Sequence, residues 1–216
     1  MLRGRRIDRA FLRRVGRPAT WEKGLLCPNI SDDGRHPYSC PYCSGGRGYQ
    51  YVDPQTIKAL FTSDDREEKF DLVGAWEHGK CEATVAANYA IADQDRLVSQ
   101  DDPVAYSLVV ERGSGDVDVL RVPHAVELVY VQGLTQGYTV GADCKLSQNE
   151  NGDYHIEWLE AQAPTATDKY TVRLLIYPTW IVIGTPMIRS FGPGKRNQLM
   201  LRVPLQRFDR VVSREG

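Results

Sequence analysis

Beyond Phe70 the chain alternates apolar and polar residues with a period of two, interrupted at short intervals by turn-forming residues. That pattern commits it to half-buried antiparallel strands. Cys81, Ala83, Val85 and Ala87 alternate with Glu82, Thr84 and Ala86, and further strands are expected at Val104 to Glu111, Val117 to Val122, Glu127 to Val131, Tyr138 to Val140, Tyr154 to Leu159, Lys169 to Tyr177 and Gln198 to Val203. Arg112-Gly113-Ser114-Gly115-Asp116 predicts a hairpin between two of them, because its glycines can take positive φ. Asn149 to Asp153 contains an Asn-Gly turn dipeptide. Many short strands with few helical windows predict a mainly β chain, an antiparallel barrel or sandwich. Pro54 to Leu60 reads equally as a turn or two of helix or as a strand.

Before these strands stands CPNISDDGRHPYSCPYCSGGRGYQY, from Cys27 to Tyr51, with three cysteines and a histidine within reach of one ion. The two-residue spacing of Cys40 and Cys43 lets both sulfurs meet a tetrahedral metal at about 2.3 Å, and the glycines that follow let backbone amides turn toward them. Cys27 supplies a third thiolate. His36, on a loop fixed by Asp32-Asp33-Gly34 and Pro37, is the nearest candidate for the fourth ligand, and a structural zinc ion is the expected cofactor. Two other readings stay open: a disulfide within the trio, and a redox-active pair. The odd cysteine total of 5 argues against a disulfide framework, as do the seven arginines within residues 1–17, a composition without the apolar core of a secretory signal. Ser44-Gly45-Gly46-Arg47-Gly48 does not start the helix that a redox pair precedes. Cys81 and Cys144, away from the knuckle, are expected to be buried thiols.

The net charge of -1 conceals a segregation. Residues 1–23 hold eight basic side chains against Asp8 and Glu22, and residues 189–216 hold seven against Asp209 and Glu215, which leaves an acidic middle. Basic ends on an acidic body predict an anionic partner for the ends, nucleic acid or an acidic protein face, although a solvated arm also accounts for them. Arg5 to Val15 reads as a short amphipathic helix with Ile7, Ala10, Phe11 and Arg14 on one side, ending near Gly16 and Pro18. Arg3, Arg5, Arg6, Arg9, Arg13 and Arg14 are its candidate partner-binding residues.

No residue set points to catalysis, and an enzyme is not expected. The histidines at 36, 78, 124 and 155 follow no metalloprotease or deaminase spacing. Gly45 to Gly48 lacks the lysine and hydroxyl of a nucleotide loop. Asp64-Asp65, Glu67-Glu68 and Asp101-Asp102 are neighbours in polar segments and read as solvated faces. No apolar run approaches the roughly 18 residues of a membrane span.

Ile7-Asp8, Pro18-Ala19-Thr20-Trp21, Cys27 and CPYCSGGRGYQY together resemble the N-terminal region of head-tail connector proteins from the necks of tailed bacteriophages. Asp95-Arg96-Leu97-Val98, a hairpin from Tyr130-Val131-Gln132-Gly133 to Gly137-Tyr138-Thr139-Val140, and Tyr170 to Pro178 with Pro186-Met187-Ile188-Arg189 are similar to later parts of those proteins. The knuckle also resembles the CxxCxGxG unit of DnaJ-type zinc domains, but its second glycine falls one residue late, at Gly48, and the unit occurs once. The connector resemblance implies a virion protein, assembled in the host cytoplasm, whose copies form a ring between portal and tail. Its partners would be the portal, neighbouring neck or tail proteins and the genomic DNA passing through. On this reading residues 1–18 are a basic helical arm, 19–52 a zinc-knuckle module, 53–190 an antiparallel β domain and 191–216 a basic C-terminal strand and tail. The alternative is a zinc-stabilised nucleic-acid-binding module, with Tyr38, Tyr42, Tyr49 and Tyr51 stacking on bases.

Overall fold

The computed structural model describes residues 11–30, 40, 43, 48–63, 80–101, 103–113, 117–120, 122–149, 152–159, 163–190 and 198–208, with 63, 188–190, 198 and 199 described by their backbone alone. The chain is mainly β. It enters through a short helix over residues 11–15 and four strands: β1 (Arg17–Leu26), β2 (Tyr49–Ser63), β3 (Lys80–Ala86) and β4 (Arg96–Ser99). Seven more follow: β5 (Val104–Glu111), β6 (Val117–Leu120), β7 (Ala125–Gln132), β8 (Gly137–Tyr138), β9 (Cys144–Gln148), β10 (Tyr154–Trp158) and β11 (Lys169–Ile176). The last three are β12 (Thr179–Val182), β13 (Met187–Ser190) and β14 (Gln198–Arg207). Every pair of neighbouring strands runs antiparallel, and among the described residues no helix is long and apolar enough to cross a membrane.

Two compact units share these strands, one built from residues 1–101 and 179–216, the other from 102–178. In the first, the sheet order β12-β4-β1-β2-β3-β14-β13 closes on itself because β14 also pairs with β12, matching Val182 with Leu205 and Trp180 with Arg207. The result is a six-stranded barrel with β13 as an appendage. Its interior is narrow, and small residues fill it: Ala19, Ala59 and Ala83 are wholly buried beside Ile57, Leu97, Val85 and Val203. Trp21 donates its indole N–H to the buried Asp95 carboxylate at 2.8 Å, and that carboxylate also accepts from the backbone N–H of Gly24 and Ala92, both at 2.9 Å. Gly24 is required there, since a Cβ would lie 2.2 Å from the Gln94 carbonyl oxygen.

The second unit is a sandwich of a four-stranded sheet, β5-β11-β7-β8, and a three-stranded sheet, β6-β10-β9. Alternation along β11 buries Tyr170, Val172, Leu174 and Ile176 and turns Lys169, Thr171 and Arg173 outward. Val104 at the start of β5 pairs with Ile176 at the end of β11, so the unit begins and ends at one place. In sequence it interrupts β4 and β12, which pair with each other in the barrel, Val98 with Thr179 and Arg96 with Ile181.

Several expectations are corrected. Barrel and sandwich both occur; segment 19–52 contributes β1 and segment 191–216 contributes β14 to the same barrel, while segment 53–190 contributes strands to both units. Among the described residues the expected helical arm is only the helix at 11–15, closed by the Gly16 N–H donating to the Leu12 carbonyl at 2.8 Å, with β1 starting at Arg17. Its buried residue is Leu12, whereas Phe11 and Val15 are exposed. The strands flanking Arg112–Asp116 do not pair with each other as the expected hairpin. β5 pairs with β11 and β6 with β10, so the chain crosses from one sheet to the other there. Asp118 fixes that crossing by accepting from the Gly113 N–H at 2.8 Å and the Arg112 guanidinium at 3.1 Å. Pro54 lies inside β2, within a bulge: Trp21 pairs with Gln55 and Lys23 with Val52, so Asp53, at φ 55°, and Pro54 together stand opposite Glu22 alone. Asp95-Arg96 precedes and begins β4, and the hairpin of β7 and β8 forms as expected, Val131 opposite Tyr138.

Candidate metal centre

β1 and β2 form a long antiparallel ladder that ends where Leu26 faces Tyr49. One further hydrogen bond, from the Cys27 N–H to the Gly48 carbonyl at 2.7 Å, carries the ladder to the first cysteine. The chain then turns at once, the Ile30 N–H closing on the Cys27 carbonyl at 3.2 Å. Gly48 adopts φ 84°, a conformation that favours glycine, and its N–H is turned onto the Cys43 sulfur. A single backbone unit thus holds two of the cysteines, Cys27 through its carbonyl and Cys43 through its amide.

The three sulfurs of Cys27, Cys40 and Cys43 all lie within 4.8 Å of one another, and all three side chains are buried. Cys27 Sγ and Cys40 Sγ are 3.6 Å apart. A disulfide is about 2.05 Å long, whereas thiolates about 2.3 Å from a tetrahedral ion stand about 3.8 Å apart. The spacing is too long for a disulfide and compatible with ligands of one ion, and all five cysteines are thiols, with Cys81 and Cys144 buried elsewhere. The cluster could hold a metal ion. The Asn29 side-chain amide donates toward Cys40 Sγ at 3.5 Å, the kind of outer-shell donor that spreads thiolate charge.

Burial is the main influence pushing the Cys43 thiol up, to about 11; the Gly48 N–H opposes it, and the neighbouring Cys40 and Cys27 sulfurs add to it. Burial and two neighbouring sulfurs disfavour the Cys43 anion unless a cation joins it. Metal binding here must displace protons, which couples affinity to pH.

His36, the expected fourth ligand, lies outside the described residues, as do Arg3, Arg5, Arg6 and Arg9 of the basic segment. Arg13 and Arg14 are exposed on the helix that precedes β1. The structure thus brings three of the four expected ligands together. Sequence reasoning overlooked Asn29, whose signal was its place two residues after Cys27, and the double role of Gly48. His124 and His155 are half-buried in the sandwich unit, away from the cysteines in sequence.

A second buried polar centre, Asp118, is structural in character. Its carboxylate accepts from Arg112 and Gly113 on one oxygen, and from Trp158 Nε1 at 2.9 Å and the Tyr170 hydroxyl at 2.7 Å on the other. Tyr138, Trp158 and Tyr170 stack edge-on in series, with centroids 5.0 and 5.3 Å apart. Compared with known proteins, the chain matches no family model and no curated protein.

Proposed function

We propose that the protein is a structural subunit of the neck of a tailed bacteriophage, forming a ring that joins the portal and capsid to the tail and lets DNA pass. A structural zinc ion on Cys27, Cys40, Cys43 and His36 completes this reading. The observation that carries it is the buried trio of sulfurs at the end of the β1–β2 ladder. A buried site built from thiolates suits a structural ion, because a catalytic one keeps a ligand position open to substrate. β1 has the exposed arginines of the 11–15 helix at its start and the cysteine centre at its end. A metal held there would stiffen the strand from which the basic segment departs.

Charge follows the two units. Residues 102–178 carry 11 acidic side chains against 5 basic, while the remainder of the chain carries 22 basic against 17 acidic. Repeated around a ring, basic segments would grip an acidic portal face or phosphate, and acidic sandwiches would repel DNA in transit.

Negative-stain imaging of the purified protein tests the assembly: annuli with a central hole are expected. Elemental analysis tests the ion, one zinc per chain being expected. Neutralising Arg5, Arg6, Arg13 and Arg14 together should weaken portal attachment and make the residual binding less sensitive to salt. A monomer that binds short DNA in a salt-dependent way would instead mark a nucleic-acid-binding module.

A further inference from the structure

The four-stranded sheet of the sandwich ends in two unlike edges. At one, β8 covers Val131 and Gln132 of β7, and the rest of β7 departs from regular pairing, with Val126 and Val129 falling at register shifts against β11. Short covering strands and bulges are the devices by which natural sheets keep other strands away. The other edge is β5, and among the described residues it has none of them. Its eight residues pair with β11 without a register shift, from Val104 with Ile176 to Glu111 with Lys169. Val104-Ala105-Tyr106-Ser107-Leu108-Val109-Val110 contains no charge, proline or glycine. Among the described residues no strand pairs with its far side.

Burial along β5 shows an open seam. Tyr106 and Leu108 share the inward face with Leu174 and Val172, their partners on β11, which are wholly buried; Tyr106 and Leu108 stay half-buried. On the other face Val109 is 66% exposed. A regular, uncharged, β-branched edge of this kind templates another strand, and left uncovered it is an aggregation site.

The geometry points to a second copy of this chain as the covering partner, with β5 of each copy pairing antiparallel across a two-fold axis at Ser107. In that register Val109 meets Ala105, Tyr106 meets Leu108 and Val110 meets Val104, so the uncharged stretch is matched by itself. Glu111 lies beyond the last of these pairs and faces no charge. Inward residues meet inward residues, as an axis perpendicular to the sheet requires, and two four-stranded sheets become one of eight. The contact is isologous and closes as a dimer, so it is separate from the head-to-tail contacts that build a ring.

Ser107→Cys tests this directly. Directly opposed Cβ atoms in an antiparallel pair lie about 4.5–5.5 Å apart, so the substituted sulfurs meet on the axis. Air oxidation should double the mass on a non-reducing gel, while the wild type and a Val119→Cys control, exposed on the other sheet, stay single. Ser107→Lys sets two ammonium groups face to face and should halve the mass measured by light scattering, with the circular dichroism spectrum unchanged. Failure of Ser107→Cys to cross-link, or a Ser107→Lys mass equal to that of the wild type, overturns the inference even if rings form. Dimers that lose pairing with Ser107→Lys but never form annuli uphold it and remove the ring. A wild type that is monomeric at every concentration removes both.

Discussion

Asp118 lies 3% exposed among aromatic side chains, and only its four donors make a buried carboxylate tolerable there. Burial pushes its carboxyl up, but the bonds from Gly113, Trp158, Tyr170 and Arg112 outweigh it and hold it below the usual carboxylate value. Asp118→Asn keeps the shape and turns one acceptor into a donor, facing donors already in place. We expect a loss of about 3–5 kcal/mol, the cost of breaking a buried ion pair, measured by urea unfolding. The sign of the pH effect follows. An unfolded aspartate titrates near 3.9, so the stabilisation is complete above about pH 4 and is lost as pH falls through the lower folded value. The acid limb of the stability profile should flatten in Asp118→Asn. If zinc occupies the cysteine centre as proposed, Cys27→Ser and Cys43→Ser should each reduce it severalfold in elemental analysis, since both sulfurs belong to one cluster.

The cysteine cluster was legible because the two-residue spacing of Cys40 and Cys43 by itself sets two sulfurs side by side. Asp118 was not. In Val117-Asp118-Val119-Leu120 simple alternation would bury the valines, yet Val117 and Val119 are exposed and Asp118 and Leu120 face inward. The partners that reverse the pattern, Trp158 and Tyr170, lie 40 and 52 residues away.

Among the elements, strands with one wet face were readable, and β5 and β11 fall within a residue of where alternation put them. β4 and β12 were not. Three of the four residues in each are buried, so neither Arg96-Leu97-Val98-Ser99 nor Thr179-Trp180-Ile181-Val182 alternates. Pro54 gave a helix reading equal standing in β2 because the bulge that accommodates it depends on pairing with β1. Glycines after β5 suggested a hairpin, but two glycines permit a sheet crossing as readily as a tight turn, and Asp118 decides between them. Metal removal is an element-scale perturbation. Chelation should speed amide exchange at Cys27, Gly48 and the first residues of β2, and leave Ala83 and Val203, opposite each other in the barrel core, as slow as before.

For the whole molecule, two units with separate cores predict two separable foldings. Val98 and Thr179 face each other across the β4–β12 ladder, so replacing residues 102–178 by a short Gly/Ser turn should leave a barrel that melts cooperatively. Residues 102–178 alone should fold as the sandwich, because β5 and β11 hold its ends together. Calorimetry of both pieces and the full chain checks this: two transitions near the fragments' own temperatures are expected. Loss of structure in either piece would show that the units depend on each other.

The insertion point has a mechanical consequence. The strands flanking the sandwich, β4 and β12, also complete the barrel's circumference, and β12 is joined to β4 and to β14 by three residue pairs each. Tension drawing the sandwich's two ends apart would load the Val98–Thr179 rung first and peel the ladder open one rung at a time, instead of shearing all its bonds at once. Under load the cylinder has a weak line, and it runs along the strands from which the insert departs.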